Sequence, residues 1–204
     1  YREFLAFSNM KSGVETTSEY LDSGGFPDYI KTGYHEVLSG VLNDILYRDI
    51  SVRYGVRNYQ ALQQLAIYLL SNAGKKVTAN SLKKLVPVAS TSTIMEYLKY
   101  FENAYLFFFV SKFSYSLRKQ IQNPRKVYAI DPGMIMINSV SSSPDFGRRF
   151  ENMVYLSLRK EHKEIFYYSE KGECDFVICQ NGHRTERIQV CYQLNRDNLT
   201  RELN

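Results

Sequence analysis

Long apolar runs are missing from this sequence. The longest, AYLFFFV at 104–110, falls far short of the roughly 20 residues a membrane-spanning helix needs and has the length of a buried strand. A membrane is therefore not an expected partner. Cysteine is scarce, with Cys174, Cys179 and Cys191 alone among 204 residues and no C-x-x-C pair. An odd, small number argues against a disulfide framework and fits a reducing, cytoplasmic setting. Structural zinc is disfavoured too, because strand alternation turns Cys174 away from Cys179 and Cys191. The three histidines, His35, His162 and His183, have no identifiable partner for a nucleophile pair. No G-x-x-x-x-G-K-[ST] occurs, and AGKKVT at 73–78 is only a superficial echo. These residues therefore carry no P-loop. Low-complexity tracts that would argue disorder are also absent.

What remains is an ordinary globular composition, 44% hydrophobic and 23% charged, long enough for one large domain or two small ones. Aromatic content is high at 14%, mostly from 17 tyrosines. The net charge of +5 inclines toward anionic partners while staying within the ordinary range for solubility. No signal peptide is visible. The bare YREFLAF opening and the helix-like NLTRELN ending read as those of a fragment.

Along the chain, residues 1–55 read as a helical connector. SGGFPDY at 23–29 supplies turn chemistry. Val37, Leu38, Val41, Leu42, Ile45 and Leu46 then recur at helical spacing from Tyr34 to about Arg53. Residues 56–135 read as a winged helix. A helix over Asn58–Asn72 stops at Gly74, a short one runs over Ser81–Val86, and a third begins in the hydroxyl-rich run at 90–93. Ile94, Tyr97, Leu98 and Phe101 share a face of the third. Two strand-like runs follow, LFFFVSKF and KVYAID. Residues 136–204 contain the Ser-rich connection SVSSSPDF and then read as a helix, with Phe150, Met153, Val154 and Leu158 on one side, leading into the strands FYYS, CDFVIC and RIQVCY. The expected fold class is therefore α/β in the α+β sense.

Two groups of residues carry candidate chemistry. Lys112, Arg118, Lys119, Arg125 and Lys126 lie in one stretch without an acid among them. In a winged helix that stretch is the wing, placed to contact a phosphate backbone. The candidate recognition helix exposes Ser92, Thr93, Glu96, Lys99 and Tyr100 and has no Arg to read guanine edges. Backbone contact with DNA is thus the expectation. A solvated basic loop, or pairing with acids on a neighbouring domain, is the plain alternative.

In the hairpin ECDFVICQNGHRTERIQVCY, strand alternation puts Glu173 and Asp175 on one face with Gln189 and Cys191. Joined by Glu151 from the preceding helix, Asp175 and Glu151 offer hard oxygens for Mg²⁺, with the Gln189 carbonyl as a weaker ligand. Phosphodiester hydrolysis also gains from a positive group beside the attacking water. Where a Lys is expected stands Cys191, leaving Glu151, Asp175 and Gln189 as a degenerate catalytic set.

Several further pieces carry a resemblance: LNDILYRDISVRYGVRN at 42–58, YLLSNAGKKVTANSLKKL at 68–85, STIMEYLKYFENAYLFFFVSKFS at 92–114, KVYAIDPGM at 126–134, GRRFENMVYLSLRK at 147–160 and ECDFVI at 173–178. With SGGFPDY they make the chain resemble the C-terminal region of bacterial and archaeal AAA-type ATPases, in which a winged helix is followed by a PD-(D/E)XK nuclease-like domain. The resemblance implies an upstream P-loop domain that holds ATP and Mg²⁺, with residues 1–55 as a connector to it or the end of its lid, and no cofactor in this chain apart from Mg²⁺ at Glu151 and Asp175. It implies an incomplete nuclease-like domain in which the family's Ile-Glu-Val-Lys is replaced by IQVC at 188–191. The expected function is a non-catalytic, DNA-binding region of such an ATPase. A divergent Mg²⁺-dependent nuclease and a protein-interaction module are the rivals.

Overall fold

The computed structural model describes residues 1–139, 145–170 and 172–194. Residues 140–144 of the Ser-rich connection, Lys171 and the NLTRELN segment at 198–204 lie outside the described residues. Helices mix with small antiparallel sheets, the expected α+β class.

The N-terminal stretch forms α1 (Arg2–Ser8), α2 (Val14–Ser23), α3 (Pro27–Thr32) and α4 (His35–Asp44), the last continuing through Ile45–Val52 with wider π-helical turns. Leu38, Leu42, Leu46 and Ile50, each four residues on, bury one stripe of this rod. SGGFP makes the turn between α2 and α3. Gly24 there has φ 73°, and a side chain would collide with the Asp131 carboxylate. Asp131 itself caps α9 (Pro132–Asn138). Its Oδ1 accepts from the Gly133 and Met134 amides at 2.8 and 3.3 Å, and its Oδ2 accepts from the Gly25 amide at 2.7 Å. One buried carboxylate so ties the SGGFP turn to the AIDPG run.

Next come α5 (Tyr59–Ser71), β1 (Lys76–Val77), α6 (Ala79–Lys83), α7 (Thr91–Asn103), β2 (Phe107–Val110) and β3 (Arg125–Ala129). Asn58, Thr78 and Ser90 cap the three helices with side-chain oxygens. The strands pair antiparallel in the order β1-β3-β2, with Phe107 opposite Ala129 and Val110 opposite Lys126. Helix, short helix, helix and strand pair follow in the order read from the sequence, with β1 as a strand the periodicity did not predict. Leu62, Leu65, Ile94, Leu98, Phe101, Phe107 and Val127 form one core with Leu42, Leu46 and Ile50. The expected connector therefore shares its hydrophobic core with the helices and hairpin that follow. Met134 and Ile135 of α9 join that core, so the expected boundary at 135/136 falls inside a helix.

The segment expected as an open wing contains a helix, α8 (Leu117–Gln122), started by Ser116, whose hydroxyl accepts from the Lys119 amide. LRKQIQ is made of residues that favour helix, which explains the difference.

In the last part, α10 (Phe146–Glu161) precedes β4 (Glu164–Ser169), β5 (Glu173–Gln180) and β6 (His183–Ile188), paired antiparallel in that order. Asn181 and Gly182, at φ 53° and 78°, make the two-residue hairpin turn. The fully buried side chains of α10 are Arg149, Asn152 and Tyr155, while Val154 and Leu158 of the expected face Phe150, Met153, Val154 and Leu158 pack half-buried against the cluster of Tyr128, Tyr155 and Phe176. Polar docking decides this. Asn152 donates to the Ala129 carbonyl at 2.9 Å and accepts from the Ala129 amide at 2.8 Å. Arg149 donates to the Leu21 carbonyl and to Asp22, both at 2.8 Å.

Tyr167 of β4 joins the two sheets. Its amide donates to the Ser111 carbonyl at 3.1 Å and its carbonyl accepts from the Phe113 amide at 2.7 Å. The chain leaving β2 thus pairs in parallel with β4. The Tyr167 hydroxyl also donates to the Pro124 carbonyl at 2.6 Å. Among the described residues, no helix is long and apolar enough to cross a membrane.

Candidate functional site: a lysine between two carboxylates

Strand β3 alternates strictly. Val127 and Ala129 enter the first core, while Lys126 and Tyr128 point the other way, toward α10 and β5. Helix α10 presents Glu151 one turn before Tyr155, and Tyr155 stacks on Tyr128 at a centroid distance of 4.4 Å. Strand β5 carries Asp175 next to Phe176, which packs into the same aromatic cluster.

These three elements bring Glu151, Asp175 and Lys126 together. The Lys126 ammonium donates to Glu151 Oε1 and to Asp175 Oδ1, each at 2.8 Å. The Tyr128 hydroxyl donates to the same Glu151 oxygen at 2.6 Å. Asp175 Oδ2 accepts from the Val190 amide at 3.0 Å. The three charged side chains are 11–16% exposed. Burial pushes the Glu151 carboxyl above its usual range, with Lys126 opposing and Asp175 adding to the rise. At Lys126 burial works to lower the ammonium, but Glu151 and then Asp175 outweigh it and leave it raised. Burial, followed by the Glu151 charge, lifts Tyr128 well above the ordinary phenol value.

The sequence pairing of Glu151 with Asp175 is therefore realised, but around a lysine. Gln189 is positioned differently from the expectation. Strand β6 ends at Ile188 rather than continuing to Tyr192, and side chains replace the backbone ladder beyond it. The Gln189 side-chain oxygen accepts from the Asp175 amide at 3.3 Å, and Cys174 donates to the Ile188 carbonyl. Gln189 thus hydrogen-bonds the Asp175 backbone.

A Mg²⁺ ion at this place would sit about 2.1 Å from its carboxylate oxygens and keep several waters. The Lys126 ammonium already fills the point where Glu151 and Asp175 converge, so the residues present do not fit a metal. No group of three or more His, Cys, Asp or Glu side chains suited to a metal occurs among the described residues.

The five basic residues expected to form a wing are dispersed. Lys112 pairs with Glu170 at 3.4 Å, Arg125 stacks on the Phe109 ring at 4.9 Å, and Lys126 is buried in the carboxylate cluster. Arg118 and Lys119 are exposed on α8. Beside them Leu117 and Ile121 are 70% and 74% exposed, and with Met95 and Leu98 of α7 they line a groove of about 510 Å³.

Sequence reasoning missed Lys126 and Tyr128 as members of the carboxylate cluster. Their signal was present in KVYAID, where a lysine and a tyrosine two apart share a strand face opposite Val127 and Ala129.

A family model described as Domain of unknown function (DUF8612) matches residues 14–143. The chain belongs to this family. The DUF8612 match begins at α2, covers the β1-β3-β2 unit and Lys126, and stops before Glu151 and Asp175. The uncharacterized protein MJ1544 of Methanocaldococcus jannaschii is 34% identical over 227 residues, an alignment covering 100% of this chain and 50% of that protein. An uncharacterized protein of Haemophilus influenzae is 26% identical over 215 residues, covering 92% of this chain and 54% of that protein. The chain thus spans about half the length of these curated relatives. No solved structure matches significantly.

Proposed function

We propose that this chain is a non-catalytic, DNA-contacting region of a longer AAA-type ATPase, with ATP and Mg²⁺ bound outside it. The observation that carries the non-catalytic reading is the Lys126 ammonium, held 2.8 Å from both Glu151 and Asp175, where hydrolysis would need a metal and its waters. The winged-helix order of elements and the exposed Arg118 and Lys119 on α8 support contact with a phosphate backbone. The relatives' additional length is consistent with an ATPase domain elsewhere in the full protein.

Fluorescence anisotropy with labelled duplex and single-stranded DNA tests this reading. Affinity should fall steeply with salt, and Arg118→Glu/Lys119→Glu should reduce the log–log slope by about 2, roughly one for each cation lost. Absence of binding at low salt would defeat it.

The exposed Leu117 and Ile121 beside the α7 groove favour a second reading, a protein-interaction module. In that case binding to a protein partner would depend on these two side chains, and DNA affinity would be absent or unchanged by the charge reversal.

A further inference from the structure

The carboxylate pair has the composition of a divalent-cation site and the occupancy of an ion pair. Glu151 Oε1 and Asp175 Oδ1 converge on one point, and the Lys126 ammonium holds it at 2.8 Å from each. The lysine has little freedom to leave. Its backbone lies in β3, the central strand of the β1-β3-β2 sheet, and the residue is 9% exposed. Its ammonium also lies 6.0 Å above the centre of the Tyr167 ring, a face that attracts cations. The carboxylates are equally fixed. Tyr128 holds the same oxygen of Glu151 that Lys126 does, and the Val190 amide holds the other oxygen of Asp175. With both acids ionised, the cluster of two carboxylates and one ammonium carries one net negative charge, so neutralising Lys126 leaves two close, poorly hydrated anions with no cation between them.

We propose that Lys126 is a built-in ammonium in the cation position of a latent site for a hard divalent ion, and that removing its charge lets Mn²⁺ or Mg²⁺ bind between Glu151 and Asp175. The inference rests on the non-catalytic reading above and supplies its physical cause. Two carboxylates with waters suit such an ion. The lysine achieves the same neutralisation without metal and fastens β3 to α10 and β5.

The test is a Mn²⁺ titration of the full chain by calorimetry and by electron paramagnetic resonance, on wild type, Lys126→Met and Lys126→Gln. The glutamine keeps a donor to one carboxylate and so guards against loss of fold, which circular dichroism checks. The expected result is no saturable Mn²⁺ binding by wild type up to about 1 mM, the weak end of biological sites. One Mn²⁺ should bind to a lysine variant, and the binding should vanish when Asp175→Asn is added. Mn²⁺ should also raise the Tm of that variant and leave wild type unchanged. Two results would overturn the proposal. One is folded lysine variants that bind no Mn²⁺. The other is wild type binding Mn²⁺ through Asp175, which would make Lys126 a companion of the metal rather than its replacement. The DNA titration with Arg118 and Lys119 reversed reads a different surface, so either experiment can fail without deciding the other.

Discussion

Lys126 and Asp175, 49 residues apart, meet at 2.8 Å, and through that contact a strand of the first sheet is fastened to a strand of the second. The same ammonium reaches Glu151 of α10, so three elements meet on one positive charge. A basic residue that a linear reading assigns to a DNA-facing wing is thereby spent inside the protein. The carboxylates that the same reading assigns to metal are satisfied without it.

Lys126→Met should lower stability by about 3 kcal/mol, because removing one partner leaves buried charges unpaired. Adding Glu151→Gln should cost less than its own effect in the wild-type background, since the carboxylates would then no longer be two like charges side by side. Urea denaturation of the two single variants and the double variant reads the coupling. Strictly additive losses would mean that Lys126 and Glu151 do not act as a unit.

Asn152→Ala should be costly for a different reason. Asn152 is fully buried and satisfies both the amide and the carbonyl of Ala129, so truncation strands two backbone groups. At about 1–3 kcal/mol for each unsatisfied group, a loss of about 3 kcal/mol is expected. Amide hydrogen exchange localises it, with faster exchange at Ala129 in the variant. Equal protection at Ala129 would show that water replaces the side chain.

Much of the first core was legible because its helices repeat apolar residues at regular spacing; Leu62, Leu65, Leu69 and Ile94, Leu98, Phe101 are buried as that pattern implies. Helix α10 was misread where packing is polar. Arg149 and Asn152 look solvent-facing in any hydrophobicity pattern, yet their hydrogen bonds to Leu21 and Ala129 decide which side faces inward. The site was half legible for a related reason. Glu151 and Asp175 could be named from strand and helix periodicity, but the lysine between them comes from a strand 25 residues before Glu151, and no spacing rule places it there. The third strand was drawn too far toward the C-terminus, as RIQVCY rather than His183–Ile188, because the pairings beyond Ile188 are made by the Asp175 and Gln189 side chains rather than by the ladder.

Gly133→Ala should destabilise strongly. An added Cβ would collide with the Ser23 carbonyl and crowd Asp131 Oδ1, forcing apart the SGGFP turn and the start of α9. Backbone cannot give as a flexible side chain can, so a loss of at least about 2 kcal/mol is expected. Gly40→Ala is the control, since nothing lies within 4 Å of its added Cβ. Equal midpoints for the two variants in urea would show that the junction is looser than its packing implies.

Asp131 gives the clearest dependence on pH. Burial lifts its carboxyl to about 6, against the three backbone amides that stabilise the ionised form. A raised folded value means that the native state holds the proton more tightly than the unfolded chain, which releases it near 3.9. Between these values the native state binds more protons, so the slope of stability against pH from this group is negative. Its contribution is full below about pH 4, falls as pH rises and is gone above its folded value. Asp131→Asn removes the titration together with one carboxylate acceptor, a loss that does not change with pH. The stability difference, wild type minus variant, should therefore shrink from pH 4 to pH 7, as read from urea midpoints at several pH values. Glu151, also raised by burial, titrates in both proteins and cancels from that difference. A difference independent of pH would mean that the Gly25, Gly133 and Met134 amides keep Asp131 ionised throughout, with hydrogen bonding outweighing desolvation at the junction.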